Sequence, residues 1–183
     1  MAVLRGINVG GHNRVPMPAL RDAVGELGYG DVRTYVQSGN VVFTAEGDPG
    51  PGEVADRVAD VVANAFGADV PVVVRTGPQL ADAVANGPFV RDGLHPEEAP
   101  TAFHVTFLAA PPDPARWKAA AAEAERFVPD VCALAGADIH LHVPGGRYSD
   151  SKLTNAWFER QLGVTATTRN WKTVTVLAAM ATG

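Results

Sequence analysis

The densest run of residues able to do chemistry is Arg5-Gly6-Ile7-Asn8-Val9-Gly10-Gly11-His12-Asn13-Arg14. Glycines there permit positive φ and close approach of backbone to a ligand, and a helix beginning just after them offers N–H groups to an anion. The spacing of Gly6, Gly10 and Gly11 fits neither GxGxxG nor GxxxxGK[ST], so a glycine turn before a helix explains the run as well as a phosphate loop does. Two later segments repeat the pattern of glycine or hydroxyl residues with a base ahead of a helix: residues 145–155, holding Tyr148, Asp150, Lys152 and Asn155, and residues 167–172, holding Arg169 and Asn170. Each alone is ordinary helix capping. Together they predict a ligand-binding set of Arg5, Asn8, Gly10, Gly11, Arg14, Lys152, Asn155, Arg169 and Asn170 facing one anion pocket, because helix N-termini and guanidinium forks add at a common locus.

Catalytic groups are harder to find. Segments 5–14 and 35–43 contain no carboxylate, and His12 is the only residue in them of a type that exchanges protons near neutral pH. Ser38 lacks a GxSxG context and is explained by a hairpin tip, while Asp150 reads as a helix cap and Tyr148 as either a ligand contact or a packing residue. No catalytic residue is assigned. His140 and His142, at i and i+2, share a strand face and need a third ligand to hold a metal; no motif supplies one, so no metal is expected. Cys132 sits in an apolar run without a neighbouring base, and Trp117, Trp157 and Trp171 fall at apolar helical positions.

The whole chain must carry these groups on a modest body. Its 183 residues have a net charge of −5, 46% apolar residues and a mean hydropathy of +0.02, enough for a core and too little for a membrane span. One cysteine cannot form an internal disulfide, and residues 1–11 lack the apolar stretch of a secretory signal, so a cytoplasmic protein is expected. The charge is unevenly spread, at +1 over residues 1–44, −9 over 45–143 and +3 over 144–183. Positive ends on an acidic middle suit a small anion better than a long polyanion.

Periodicity supplies the elements. A strand is predicted over residues 2–9, then a helix from Met17 whose Met17, Leu20, Val24 and Leu27 form one stripe closed by Gly28. Strands over 32–37 and 40–44 flank a two-residue Ser38-Gly39 turn, and Val54, Val58, Val61 and Phe66 mark a second helix before a strand over 70–76. After a short helix at 78–85 and an irregular stretch at 86–100, the order repeats. A strand lies at 101–108, a helix opens at Asp113-Pro114 and runs to 126, and strands at 131–134 and 138–143 meet around 135–137. A helix at 151–162, an extended piece at 164–167 and a final helix at 170–181 follow. The expected fold is α+β, a tandem duplication of ferredoxin-like βαββαβ halves with a C-terminal helix: a first half at 1–76, a short helix and linker at 77–100, and a second half with the final helix at 101–183. Valines 72–74 and the flanks of the first strand are apolar on both faces, so both faces of that sheet are expected to be buried.

Four segments carry a family likeness: Leu4 to Gly11, Val32 to Phe43, Ser151 to Asn155 and Ala166 to Trp171. They resemble the signature segments of domain-of-unknown-function family 1697, across nearly the whole chain. The resemblance implies a duplicated ferredoxin-like α+β arrangement and implies no activity or cofactor. Relatives usually carry a few more residues ahead of the first strand and a lysine where His12 stands, so a role for His12 does not extend to them.

The function expected is binding of, or action on, a small anionic or phosphorylated ligand such as a nucleotide or sugar phosphate, by a monomer or homodimer. An interaction module is the alternative, recognisable by a contiguous exposed apolar patch. A single-stranded nucleic-acid module comes third: the RNP1 pattern is missing, only Phe43 stands on the third strand to stack a base, and the net charge is negative.

Overall fold

The computed structural model describes residues 1–145 and 147–182, and the chain forms two compact units. The first spans Met1–Pro78 with the end of the chain from Ala179; the second spans Gln79–Ala178. The architecture is mixed α+β, with a four-stranded sheet in each unit and only antiparallel neighbours.

In the first unit β1 (Ala2–Leu4), α1 (Met17–Gly25), β2 (Gly30–Tyr35), β3 (Asn40–Thr44), α2 (Pro51–Phe66) and β4 (Val72–Val74) follow one another, and the sheet order is β2-β3-β1-β4. Alternation puts Ala2, Leu4, Val41, Val72 and Val74 on the helix-covered face, where they pack with Leu20, Val24, Val54, Val58 and Val62. Val3 and Val73, pointing the other way, are buried as well, as the doubly apolar sequence requires. On α2 the apolar stripe runs through Val62 at i+4 from Val58, not through Val61, which is half-buried.

Three expectations here need correction. The first strand stops at Leu4 because Gly6 (φ 72°) and Asn8 (φ 55°) turn the backbone out of the extended region. α1 ends at Gly25, with tighter turns bringing the Leu27 and Gly28 N–H groups back to Val24 and Gly25, so Gly28 (φ 84°) lies three residues past the helix. The β2–β3 turn is longer than Ser38-Gly39: Tyr35 pairs with Asn40, leaving residues 36–39 as the loop. Gly39 (φ 81°) packs so tightly that an added Cβ would stand 2.7 Å from Ile7 Cδ1 and 2.9 Å from Leu4 Cβ.

The second unit takes in most of α3 (Gly77–Ala85), then α4 (Pro88–Arg91), β5 (Phe103–Leu108), α5 (Pro114–Ala124), β6 (Val131–Ala135), β7 (Asp138–His142), α6 (Asn155–Leu162), β8 (Ala166–Asn170) and most of α7 (Trp171–Thr182). Its sheet order is β6-β7-β5-β8. Asp113 caps α5 as expected, its carboxylate accepting from the Ala115 and Arg116 N–H groups at 3.0 Å. Trp157 and Phe158 of α6 pack with Leu108, Ile139, Leu141 and Ala166. Residues 86–100, expected to be irregular, contain α4.

Two boundaries shift in ways that matter for the site. α6 begins at Asn155, not residue 151: Ser151 accepts from the Leu153 N–H, which holds the chain extended until Thr154, whose hydroxyl caps the Trp157 N–H at 3.2 Å. The Asp150 cap is therefore replaced by Thr154. The last strand is Ala166–Asn170, not residues 164–167, since β-branched Thr167 and Thr168 favour extended backbone and all five residues pair with β5.

Candidate functional site

The predicted ligand residues divide between the units: Arg5, Asn8, Gly10, Gly11 and Arg14 in the first, Lys152, Asn155, Arg169 and Asn170 in the second.

In the first unit, the loop between β1 and α1 is held from within by an asparagine. The Asn8 amide nitrogen donates to the carbonyls of Val15 and Gln37, both at 2.9 Å, and its oxygen accepts from the Val15 N–H at 2.9 Å. Asn13 donates to the Gly6 carbonyl at 3.1 Å. Both amide hydrogens of Asn8 thus go to backbone, and Asn8 pins the loop to the β2–β3 turn. The resulting shallow cavity of about 320 Å³ is lined by Asn8, Gly11, His12, Arg14 and Gln37. No carboxylate lines it, and the exposed side chains of Arg14 and His12 make no hydrogen bond or ion pair among the described residues, the His12 N–H being given to the Val9 carbonyl at 3.1 Å. Arg5 lies outside this lining, half-buried, its N–H donating to the Pro71 carbonyl at 3.0 Å.

The helix entrance contributes less than its glycines suggested. Proline occupies both the cap position, Pro16, and position 18, and the Leu20 N–H is bonded to the Pro16 carbonyl. That leaves only the Met17 and Ala19 N–H groups, with Met17 buried, so the Arg14 guanidinium and the loop backbone carry the charge complementarity here.

In the second unit Thr168 is a hydrogen-bond node. Its hydroxyl donates to Asn155 Oδ1 at 2.6 Å and accepts from the Tyr148 hydroxyl at 3.0 Å. Having one proton, already given to Asn155, it must also accept from the Thr106 hydroxyl, 2.6 Å away. His104, one residue pair along the same sheet face, sits with its ring 5.0 Å from that of Tyr148. It is buried, and its Nδ1 has no partner among the described residues. Burial pushes its pKa down to about 4, so it is neutral at pH 7. The arrangement is a neutral hydroxyl–amide–imidazole cluster at the entrance of α6.

Arg169 is not part of that cluster. It pairs with Val105 in the register where Thr168 pairs with Thr106, so its side chain leaves the opposite face of β8. It donates to the Thr168 carbonyl at 2.8 Å, and burial lowers its pKa to about 10, which keeps it charged at neutral pH. The segment read as a third helix entrance is therefore strand up to Asn170, whose side chain caps α7 through the Thr173 N–H at 2.9 Å. Lys152 is exposed in the turn before Thr154.

His140 and His142 do share a face, but their rings are engaged in packing. An added Cβ on Gly87 would stand 2.7 Å from the His140 ring, and His142 stacks on Phe103 at 4.4 Å. Among the described residues no group of three or more His, Cys, Asp or Glu could hold a metal. Burial raises the Cys132 thiol to about 11, which keeps it protonated and unreactive at neutral pH. Trp157 and Trp171 are core residues. Phe43, the aromatic a base-stacking surface would need, is stacked on Tyr29 at 4.5 Å.

The sequence reading missed Gln37, His104, Thr106 and Thr168. A usable signal exists for the middle pair: in Phe103–Leu108 two polar residues, i and i+2, interrupt an otherwise apolar strand and so fall on one face. Gln37 had no such signal, because its role follows from the bond that Asn8 makes to its carbonyl.

Comparison with known proteins adds fold and family. The family described as Protein of unknown function (DUF1697) matches residues 1–140. A solved structure of a conserved bacterial protein from Streptococcus pneumoniae is similar over 100% of this chain and 97% of its own, with a TM-score of 0.71 and 20% identity. No curated protein matches the chain. Among the described residues, no helix is long and apolar enough to cross a membrane.

Proposed function

Because the chain belongs to the DUF1697 family, whose function is unknown, we propose a role from its own geometry: the loop of residues 5–14 binds a small anionic, phosphorylated ligand. One observation carries this reading. Arg14 and His12 line a cavity of about 320 Å³ together with Asn8, Gly11 and Gln37, with no carboxylate in the lining to neutralise the guanidinium. A cavity of that size falls in the range of small-molecule sites, and a guanidinium beside loop N–H groups suits phosphate oxygens. Arg5 and Gly10 contribute charge and backbone freedom to the same loop. Lys152, Asn155, Arg169 and Asn170 are retained as ligand candidates of the second unit.

The reading includes a ferredoxin-like duplication, with halves at 1–76 and 101–183 joined by 77–100; the equivalent strand orders of the two sheets support it. It also includes a cytoplasmic setting and a monomer or homodimer. Binding is the claim, without a reaction. The nucleic-acid alternative loses its stacking residue to the Tyr29–Phe43 pair.

A thermal-shift screen of nucleotides, sugar phosphates and carboxylates at about 1 mM tests the proposal. A ligand present at 100 times its Kd adds about 2.7 kcal/mol to stability. Stabilisation that disappears in Arg14→Ala supports the site. Stabilisation that survives in Arg14→Ala with His12→Ala, or no stabilisation by any anion, removes it.

A further inference from the structure

We propose that the open edge of β6 accepts an extended peptide as a further strand of the second sheet, and that an arginine or lysine side chain of that peptide lies in the groove beside the edge. The site belongs to the second unit and does not depend on the anion-binding loop of the first.

In the sheet order β6-β7-β5-β8, β6 has a neighbour on one side only. Among the described residues no backbone hydrogen bond from outside the sheet reaches residues 131–135, so the outward N–H and C=O groups of the strand meet solvent. Proteins commonly guard such an edge with charge, proline or a bulge. The edge strand β2 of the first sheet is guarded in this way: its register slips between Gly30 and Arg33, Asp31 sits at a φ of 49°, and the Arg33 guanidinium donates to the Met180 carbonyl at 2.6 Å. β6 has none of these features. Val131–Ala135 contains no charge and no proline, and it pairs with β7 without a slip, from Val131 opposite His142 to Ala135 opposite Asp138. A regular, uncharged edge of this kind is a template for strand addition.

The groove beside this edge names the occupant. It has a volume of about 240 Å³, and Ala124 of α5, Val128, Val131 and Cys132 give it apolar walls. Val128 and Val131 are 69% and 40% exposed, so the walls are open to a partner. Glu125 and Asp130 complete the lining, and no base lines it. Neither carboxylate has a hydrogen-bond or ion-pair partner among the described residues. Apolar walls with two uncompensated carboxylates match a side chain that has a methylene stem and a cationic head. An added strand sends every second side chain to one face of the sheet, so one basic residue among apolar ones meets the groove. A second copy of this chain fits less well, because its β6 brings an uncharged strand bounded by Asp130 and Asp138 and supplies no base.

Amide chemical-shift mapping of the full chain tests this with a seven-residue peptide that alternates threonine and valine around a central arginine. The expected result is saturable shifts at residues 128–135, with affinity about tenfold weaker when glutamate replaces the arginine. In Glu125→Gln with Asp130→Asn, which keeps the shape of the groove and removes its charge, the two peptides should bind within about twofold of each other. Methylating every backbone nitrogen of the arginine peptide removes the donors that strand addition needs and should abolish the shifts. The proposal is overturned by an absence of shifts, by equal affinity of the two peptides for the wild type, by a preference that survives the double substitution, or by undiminished binding of the methylated peptide. Concentration-dependent shifts at residues 131–135 without peptide would put a second copy on the edge and overturn it as well.

Discussion

At the residue scale, Asn8 and Thr168 spend their side chains on hydrogen bonds inside the fold. Asn8 belongs to the expected ligand-binding set, yet both amide hydrogens of its side chain go to the carbonyls of Val15 and Gln37. Asn8→Ala should cost about 1–3 kcal/mol by leaving partly buried backbone groups unpaired, whereas Arg14→Ala should change stability by less than about 0.5 kcal/mol. Urea unfolding of the two variants separates a loop staple from a ligand contact. At Thr168 three hydrogen bonds meet, so Thr168→Val should cost more than Tyr148→Phe, which removes one of them; equal losses would mean that Thr168 is not the node. The residue types at these places were legible in the sequence, since Asn8, Arg14, Tyr148 and Asn155 were all singled out. Their partners were not, because a hydroxyl on a strand announces nothing until its register is known: Thr106 meets Thr168 only through the pairing of β5 with β8.

At the scale of elements, order was readable and ends were not. Eight strands and the principal helices follow from apolar spacing, but several misplaced boundaries trace to polar side chains and glycines that periodicity ignores. Ser151 and Thr154 delay α6 by four residues, and Asn8 and Gly6 cut β1 short. The β2–β3 turn shows the same limit. Ser38-Gly39 matches a two-residue hairpin signal, yet the loop is four residues long because Gly39 must lie against Leu4 and Ile7. Gly39→Ala adds a Cβ 2.7 Å from Ile7 Cδ1 at a φ of 81°, so both strain and overpacking apply. It should destabilise by roughly 2–4 kcal/mol and weaken any ligand response, because the turn carries Gln37. Retention of wild-type stability would show that the β1–α1 loop is not packed on the turn.

For the molecule as a whole, stability should depend on pH through two buried histidines. Burial lowers His104 and His140 to about 4 from 6.5, with Arg91 assisting and Asp82 opposing at His140. The unfolded chain therefore binds more protons than the folded one between pH 6.5 and 4. The histidines' contribution to stability is full above pH 6.5 and declines as pH falls through that window, by up to about 1.4 kcal/mol per pH unit for each histidine. Denaturant titrations at pH 7, 5.5 and 4.5 should show the decline, and His104→Phe, which keeps a ring beside Tyr148, should make it shallower. The uneven charge along the chain is plain arithmetic, but which cations lack a side-chain partner among the described residues follows from the fold: Arg14 does, while Arg169 donates to the Thr168 carbonyl on a strand. The central claim is that Arg14 and its loop hold an anion, and amide chemical-shift mapping with inorganic phosphate tests it most directly. The account predicts saturable shifts concentrated at Gly10, Gly11, His12, Arg14 and Gln37 that vanish in Arg14→Ala. Shifts that are absent, scattered over other surfaces, or unchanged in Arg14→Ala would contradict it.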